Sequence, residues 1–446
     1  MALAGFLVPF FVDIPGLDEP GQRMLSIFMA AVALWISEAI PLVATAVLVI
    51  FAEVLLISDQ ALLPVTDQAA KASEFYASLA NPVIILFLGG FMIADGAEKY
   101  HLDKALAATL LRPFLGSPRL TLMGLMMITA GLSMFMSNTA TTATMFAILL
   151  PVLKGLPPGK SRTGIALSIP VAANVGGMGT PVGTPPNAIA IAGLREAGIT
   201  VSFVEWMVMA IPLMLIVLAI SWVWLAVRYI PRDVKFNINL EAKYNTTGKA
   251  KIFYLTAGVT ILLWMSENLH GISSNTVGFL PVVVLLCLKV MDGDDLNKLD
   301  WSTLWLVAGG IALGKGVGAS GLDKWLIGSI PWASMPSALL LTGMALIGFA
   351  MSNVISHSAS ANLLVPLGVG LAATVSTSSV HIAVILGLGC SLGMSLPIST
   401  PPNAIAYASK EVPTKEMAFT GLVVGIAGVV LLAVFCPPYW HLLGIA

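Results

Sequence analysis

GTPPNAIAIA (residues 183–192) returns as STPPNAIAYA (residues 399–408), with eight of ten residues identical. Each copy sets two prolines and an asparagine inside a hydrophobic run. Proline removes a backbone donor and breaks a helix, so an uninterrupted spanning helix has no use for it. The flanks repeat the pattern, as GGMGTPVGTPPN (176–187) and GMSLPISTPPN (393–403). Three further matches keep the same order. LWISE (34–38) returns as LWMSE (263–267). Gly89-Gly90 followed by LDK (102–104) returns as Gly309-Gly310 and LDK (322–324). Ser137-Asn138 returns as Ser352-Asn353. The offset stays between 215 and 229 residues, so the chain is read as two repeats.

Composition sets the solvent. Of 446 residues, 57% are hydrophobic and 10% charged, against roughly 25% charged in soluble domains. Mean hydropathy is +0.92. The chain is therefore read as an all-α polytopic membrane protein. A formal net charge of −1 selects no partner and gives no sign of nucleic-acid binding. Cys287, Cys390 and Cys436 sit in apolar runs and are expected to be buried small hydrophobes. MALAGFLVPFFV (1–12) lacks the basic start of a signal peptide and reads as the end of a first helix that starts upstream.

A span needs about 20 mainly apolar residues. About eleven candidates follow, with 1–12 partial. The expected organisation is 1–21 partial first helix and outer loop, then a first repeat over 22–230. That repeat holds helices within 22–113, a hairpin at 118–156, a broken helix at 163–194 and a helix at 205–229. A basic linker covers 231–251. The second repeat, 252–446, holds helices within 252–319, a hairpin at 335–375, a broken helix at 380–405 and a helix at 416–436.

Lys and Arg placement says which segments cross. The positive-inside rule puts basic segments in the cytoplasm. The pair 118–133 and 143–156 is flanked by Lys99, Lys104, Arg112 and Arg119 before it and Lys154, Lys160 and Arg162 after it. Both flanks read as cytoplasmic, so the pair is a re-entrant hairpin with Ser137 near its tip. Counting the linkers at 228–251, 289–298 and 410–415, 17 of the 22 basic residues fall inside. The second pair, 335–351 with 362–375, has only Lys324 beside it and enters from the opposite face. Five spans and one hairpin per repeat invert the second repeat relative to the first. This threading leaves the N-terminus cytoplasmic and the C-terminus outside. Inverted repeats with broken helices are a transporter signature, with the site near the midplane.

Two hairpin tips and two helix breaks then converge. They offer hydroxyls, amides, freed carbonyls and helix N-termini. Oxygen groups suit hard cations, Na⁺ here. Helix N-termini and amide NH₂ groups suit anions. No Lys or Arg lies in any of the four elements, so a bound anion has helix dipoles and bound cations to balance it. Each polar residue also has a blander role. Ser and Thr in membrane helices commonly bond helix to helix, and SSNT (273–276) reads as a helix cap. Fixed-offset repetition favours a site for the two SN tips and the two TPPN breaks. GGIALGKG (309–316) has phosphate-loop spacing but no following Ser or Thr, lies in a span, and is rejected. Asp95 and Lys315 read as snorkelling groups, and Glu38 and Glu267 as caps. His357, placed where the first repeat has Thr142, reads as a packed neutral histidine ahead of a pH sensor. No HExxH occurs and no Asp pair lies within a membrane segment, so nothing there supports an intramembrane enzyme.

With WISEAIPLVATA, the paired SN tips and the paired TPPN breaks, the chain resembles the divalent-anion:sodium symporter family, including the bacterial INDY-type Na⁺/dicarboxylate transporters. The resemblance implies a homodimer in the bacterial cytoplasmic (inner) membrane among lipids. Each protomer would have a scaffold domain and a mobile transport domain, working as an elevator-type transporter. It also implies Na⁺-driven uptake of C4-dicarboxylates such as succinate; relatives carry citrate or sulfate, and some exchange anions. By position, a first Na⁺ site uses Ser133, Ser137, Asn138 and Gly183, and a second uses Gly348, Met351, Asn353 and Ser399. The dianion meets Ser137, Asn138, Thr139, Thr184, Ser352, Asn353 and Thr400, with Pro185 and Pro401 shaping the breaks. One departure stands out. The family reads Ser-Asn-Thr in both hairpins, and the second copy here reads Ser352-Asn353-Val354. Valine cannot donate to a carboxylate, so either the anion differs or Ser356 supplies the hydroxyl.

Overall fold

The computed structural model describes residues 2–12, 14–65, 69–155, 159–231, 243–328, 335–372, 375 and 377–445. Most of the expected basic linker, with Arg232 and Lys235, lies outside the described residues. Among those described, the chain is helical apart from loops and one isolated bridge between Ser58 and Ala70. The first half runs α1 (Ala2–Phe11), α2 (Glu19–Ser37), α3 (Leu42–Ile57), α4 (Pro82–Lys99), α5 (Leu102–Leu111), α6 (Pro118–Ser133), α7 (Asn138–Gly155), α8 (Lys160–Gly177), α9 (Pro185–Glu196) and α10 (Phe203–Tyr229). The second half runs α11 (Gly248–Met265), α12 (Phe279–Cys287), α13 (Trp301–Ala319), α14 (Leu322–Gly328), α15 (Ser337–Val354), α16 (His357–Ala372), α17 (Ser379–Ser391), α18 (Pro401–Ala408), α19 (Thr414–Val434) and α20 (Cys436–Leu442).

Four helical stretches among the described residues are long and apolar enough to cross a membrane: Ala72–Lys99, Phe203–Tyr229, Ser337–Val354 and Thr414–Val434. Other apolar helices are shorter, such as the 16 residues of α3, or are cut by the TPPN breaks. The hairpins differ from expectation at their second arms. These begin at Asn138 and His357, five residues earlier than the apolar runs. Ser137 Oγ accepts from Ala140 N at 3.1 Å and Ser356 Oγ accepts from Ala359 N at 3.2 Å. Each serine caps its helix, so the polar residues after it form a first turn. Cys390 and Cys436 are buried as expected. Cys287 is exposed, because it ends α12 on the outward side.

The halves interleave. α13 packs on α3, and α4 packs on α12. The second piece of each broken helix crosses over: α9 packs on α16 and α17, while α18 packs on α7 and α8. Glycine makes the first exchange possible. A Cβ on Gly309 would lie 2.4 Å from Ala46 Cβ, and one on Gly89 would lie 2.2 Å from Gly278 O. Small residues allow such close helix approach in membranes, which explains the repeated Gly-Gly pair. Gly89→Val is expected to lower folded yield and the thermal midpoint in detergent, at a cost of about 1–3 kcal/mol or more. Gly131→Ala is the control, since a Cβ there meets nothing within 4 Å. Equal midpoints for the two variants would refute the close-packing argument.

Candidate functional site

The breaks come first, because they expose carbonyls that need donors. α8 ends at Gly177 and α9 restarts at Pro185. Asn187 Nδ2 fills the gap, donating to the carbonyls of Gly177 (3.0 Å), Met178 (3.3 Å) and Thr180 (2.7 Å). Asn403 does the same in the other half, donating to Met394 O (2.7 Å) and Leu396 O (3.0 Å). This is the work of the asparagine in TPPN. The prolines sit at the first turns of α9 and α18, where no N–H is missed.

The tips dock onto the breaks in parallel fashion. Ser133 Oγ donates to Ala173 O at 2.8 Å, and the Thr180 hydroxyl donates to Met134 O. In the second half, the Ser399 hydroxyl donates to Asn353 O at 3.0 Å, and Ser352 Oγ, which donates within α15 to Phe349 O at 3.1 Å, lies so close to Gly393 that a Cβ there would be 2.0 Å from it. Met134 O and Asn353 O therefore play one part, as do the capping residues Ser137 and Ser356. The spatial counterpart of Ser137-Asn138-Thr139 is thus Ser356-His357-Ser358, at an offset of 219. The identical Ser-Asn spelling at 352–353 lies one helical turn earlier, in the last turn of α15.

A cavity of about 390 Å³ joins these elements, within the ~300–1,000 Å³ usual for small-molecule sites. Ser137, Asn138, Thr139, Gly183, Thr184, Pro185, Ser399, Thr400 and Pro401 line it, as do Ser356, His357 and Ser358. Ser133 stands behind Asn138. Gly348, Met351, Ser352 and Asn353 are not among the lining residues. The amide of Asn353 is already engaged, accepting from Ser395 N (2.9 Å) and donating to Phe349 O (2.8 Å). Val354 is 64% exposed and outside the cavity, so the Thr139/Val354 mismatch is no feature of the lining.

Asn174 was not anticipated. It lines the cavity from α8, donates to Thr400 Oγ1 (3.2 Å) and Asn403 Oδ1 (3.3 Å), and ties the first break to the second. An asparagine within SIPVAANVGG was the available signal.

Charge in the cavity is sparse. Asp300 and His357 are its titratable lining residues, and no Lys or Arg lines it among the described residues. The starts of α7, α9, α16 and α18 all face it, so their partial positive charges sum there. At the first tip, one end atom of the Asn138 amide lies 2.6 Å from Ser133 Oγ, 3.1 Å from Gly183 O and 3.2 Å from Ala173 O. A nitrogen at that position can donate to Gly183 O and Ser133 Oγ, while Ala173 O accepts from the Ser133 hydroxyl. An oxygen there accepts from Ser133 Oγ but faces Gly183 O and Ala173 O with no hydrogen between them, which a hard cation would relieve.

The family model described as "Sodium:sulfate symporter transmembrane region" matches residues 1–446. The chain belongs to that family. It is the divalent-anion:sodium symporter group which the tips and breaks resemble. An uncharacterized transporter of Haemophilus influenzae is 30% identical over 97% of this chain and 95% of its own length. The sodium-dependent dicarboxylate transporter SdcS of Staphylococcus aureus is 29% identical over 96% of this chain and 87% of its own. Among solved structures, the YdaH transporter of Alcanivorax borkumensis superposes with a TM-score of 0.60 at 13% identity, covering 96% of this chain and 99% of that one. That likeness concerns the fold. Family membership makes the chain an integral membrane transporter of the sodium-coupled kind.

Asn187→Leu removes the donor to three carbonyls and is expected to lower the thermal midpoint of the purified protein. Each buried group left unpaired costs about 1–3 kcal/mol. An unchanged midpoint would show that the break does not depend on its clamp.

Proposed function

We propose that this protein imports small dianions, C4-dicarboxylates such as succinate foremost, driven by Na⁺ through alternating access. The oxygen cluster around Asn138 carries the reading. With its amide oxygen turned inward, Ser133 Oγ, Gly183 O, Ala173 O and Asn138 Oδ1 form a hard-cation site beside the cavity. Turning the amide nitrogen inward satisfies the same cluster without an ion. We assign Na⁺ to this first tip, with Ser137 completing the site. The second set, Gly348, Met351, Asn353 and Ser399, receives no ion in this reading, because its polar side-chain atoms already pair within the chain.

The dianion binds across the cavity. One carboxylate meets Ser137, Asn138 and Thr139 at the start of α7. The other meets Ser356, His357 and Ser358 at the start of α16. Thr184, Thr400 and Asn174 lie between them, and Pro185 and Pro401 hold the breaks open. Four helix N-termini favour the negative charge without any lysine or arginine. A sodium ion beside them offsets half of it. We read the chain as two inverted repeats of about eleven spans and two re-entrant hairpins. It works as an elevator within a homodimer in the bacterial inner membrane, N-terminus cytoplasmic and C-terminus outside. The name of the Staphylococcus aureus relative supports the substrate class. The family description instead supports a second reading on the same fold, a carrier of sulfate or another anion such as citrate.

Uptake of labelled succinate into proteoliposomes tests the proposal. An inward Na⁺ gradient is expected to accelerate uptake at least about tenfold, and Asn138→Ala to abolish both uptake and its Na⁺ dependence. Uptake indifferent to Na⁺ but stimulated by internal dicarboxylate would make the protein an exchanger. No uptake of any dicarboxylate would remove the substrate class.

A further inference from the structure

The two tips are matched in fold and mismatched in chemistry. Ser137 and Ser356 cap their helices alike, and the next residue at one tip is Asn138 and at the other His357. Asparagine presents an NH₂ group that donates without changing protonation. Histidine differs. His357 Nε2 lies 2.7 Å from Gly393 O. A carbonyl only accepts, so Nε2 carries the hydrogen. In the neutral ring Nδ1 is then a lone pair. The ring lines the cavity and is 7% exposed. A carboxylate arriving at this tip meets that lone pair and is repelled, unless Nδ1 first takes a proton.

We propose that the second tip binds a proton on His357 Nδ1 together with the anion, making the proton a coupling ion opposite the sodium of the first tip. The inference rests on the anion-transport reading above. The proton comes from water on the side where the anion enters. It forms an N–H bond that donates to the carboxylate, and it leaves to water when the anion does.

The surroundings favour this assignment. α16 packs against α9, α13, α14, α15 and α17. α15 carries no titratable residue. Asp300, which caps α13 by accepting from Thr303 N and its hydroxyl, is the acidic group that lines the same cavity. Lys315 at the other end of α13 is engaged by Glu196 at 3.6 Å and by Glu74 O at 3.3 Å, and Arg195 lies beside Glu196 at the end of α9. Asp323, with Lys324 beside it on α14, lies beneath Gly370, thirteen residues and about 20 Å along α16 from His357. His381 opens α17 and bonds Ile445 O, and Cys390 closes that helix. Thus Asp300 is the one charged residue that lines the cavity with His357 among the described residues.

Fumarate is the probe, because it stays fully dianionic above neutrality and its own titration does not interfere. Calorimetric titration of purified protein in saturating Na⁺, in two buffers of different ionisation enthalpy, counts protons taken up per anion. The wild type is expected to take up about one proton, and fumarate affinity to fall about tenfold per pH unit above pH ~7.5. His357→Asn, which restores the chemistry of the first tip, is expected to bind fumarate with no proton uptake and a flat pH profile. Buffer-independent heats in the wild type would overturn the proton and leave the transport reading standing. Equal uptake in wild type and variant would move the proton elsewhere. No dicarboxylate binding in the wild type would overturn the transport reading and this inference together. Should the variant fail to fold, ¹⁵N spectra of the five histidines decide. One ring must turn imidazolium on fumarate addition, and an unchanged set of spectra overturns the inference.

Discussion

A helix broken in mid-membrane releases carbonyls that lipid cannot satisfy. Everything at the centre of this protein follows from how those groups are held. Asn187 and Asn403 each close a break with one side chain, at the same point in the two halves. The hydroxyls of Thr180 and Ser399 then fasten a hairpin tip to each break. With the breaks clamped, the starts of α9 and α18 are free to aim into the cavity. Without the clamps, the same sequence would have unpaired carbonyls where a ligand has to sit.

Much of this architecture was legible in the sequence. The doubled TPPN and the basic residues around the first hairpin marked the broken helices and the tips. The purpose of the TPPN asparagine was not legible, because three carbonyl partners within ten residues look like any loop until the chain is folded. Gly89 and Gly309 were found as a repeat, while their meaning, contact with Gly278 and Ala46, depends on helices distant in sequence.

The second tip shows where spelling misleads. Ser352-Asn353 matches Ser137-Asn138 letter for letter, yet it sits one turn too early. Its asparagine carbonyl corresponds to that of Met134, each accepting from a hydroxyl of a break, and Ser352 lies against Gly393. The residues that cap α16 share only a serine with those that cap α7. Residue identity is a poor guide when hydrogen-bonded position is what the fold preserves. Hence the valine at 354, which looked like a defect in the site, has no part in its lining, and the histidine at 357, which looked like packing, stands in it.

The crossing of α9 and α18 has a mechanical meaning. Each half of the cavity is built partly from the other half's helix, and Asn174 bridges them by bonding Thr400 and Asn403. Pulling the two halves apart would break the Asn174 bonds to Thr400 and Asn403 and leave a buried amide unpaired. In the proposed transport cycle, prying the cage open along this seam therefore costs hydrogen bonds. The elevator motion proposed above avoids that cost, because it would carry the cage whole with its internal hydrogen bonds intact.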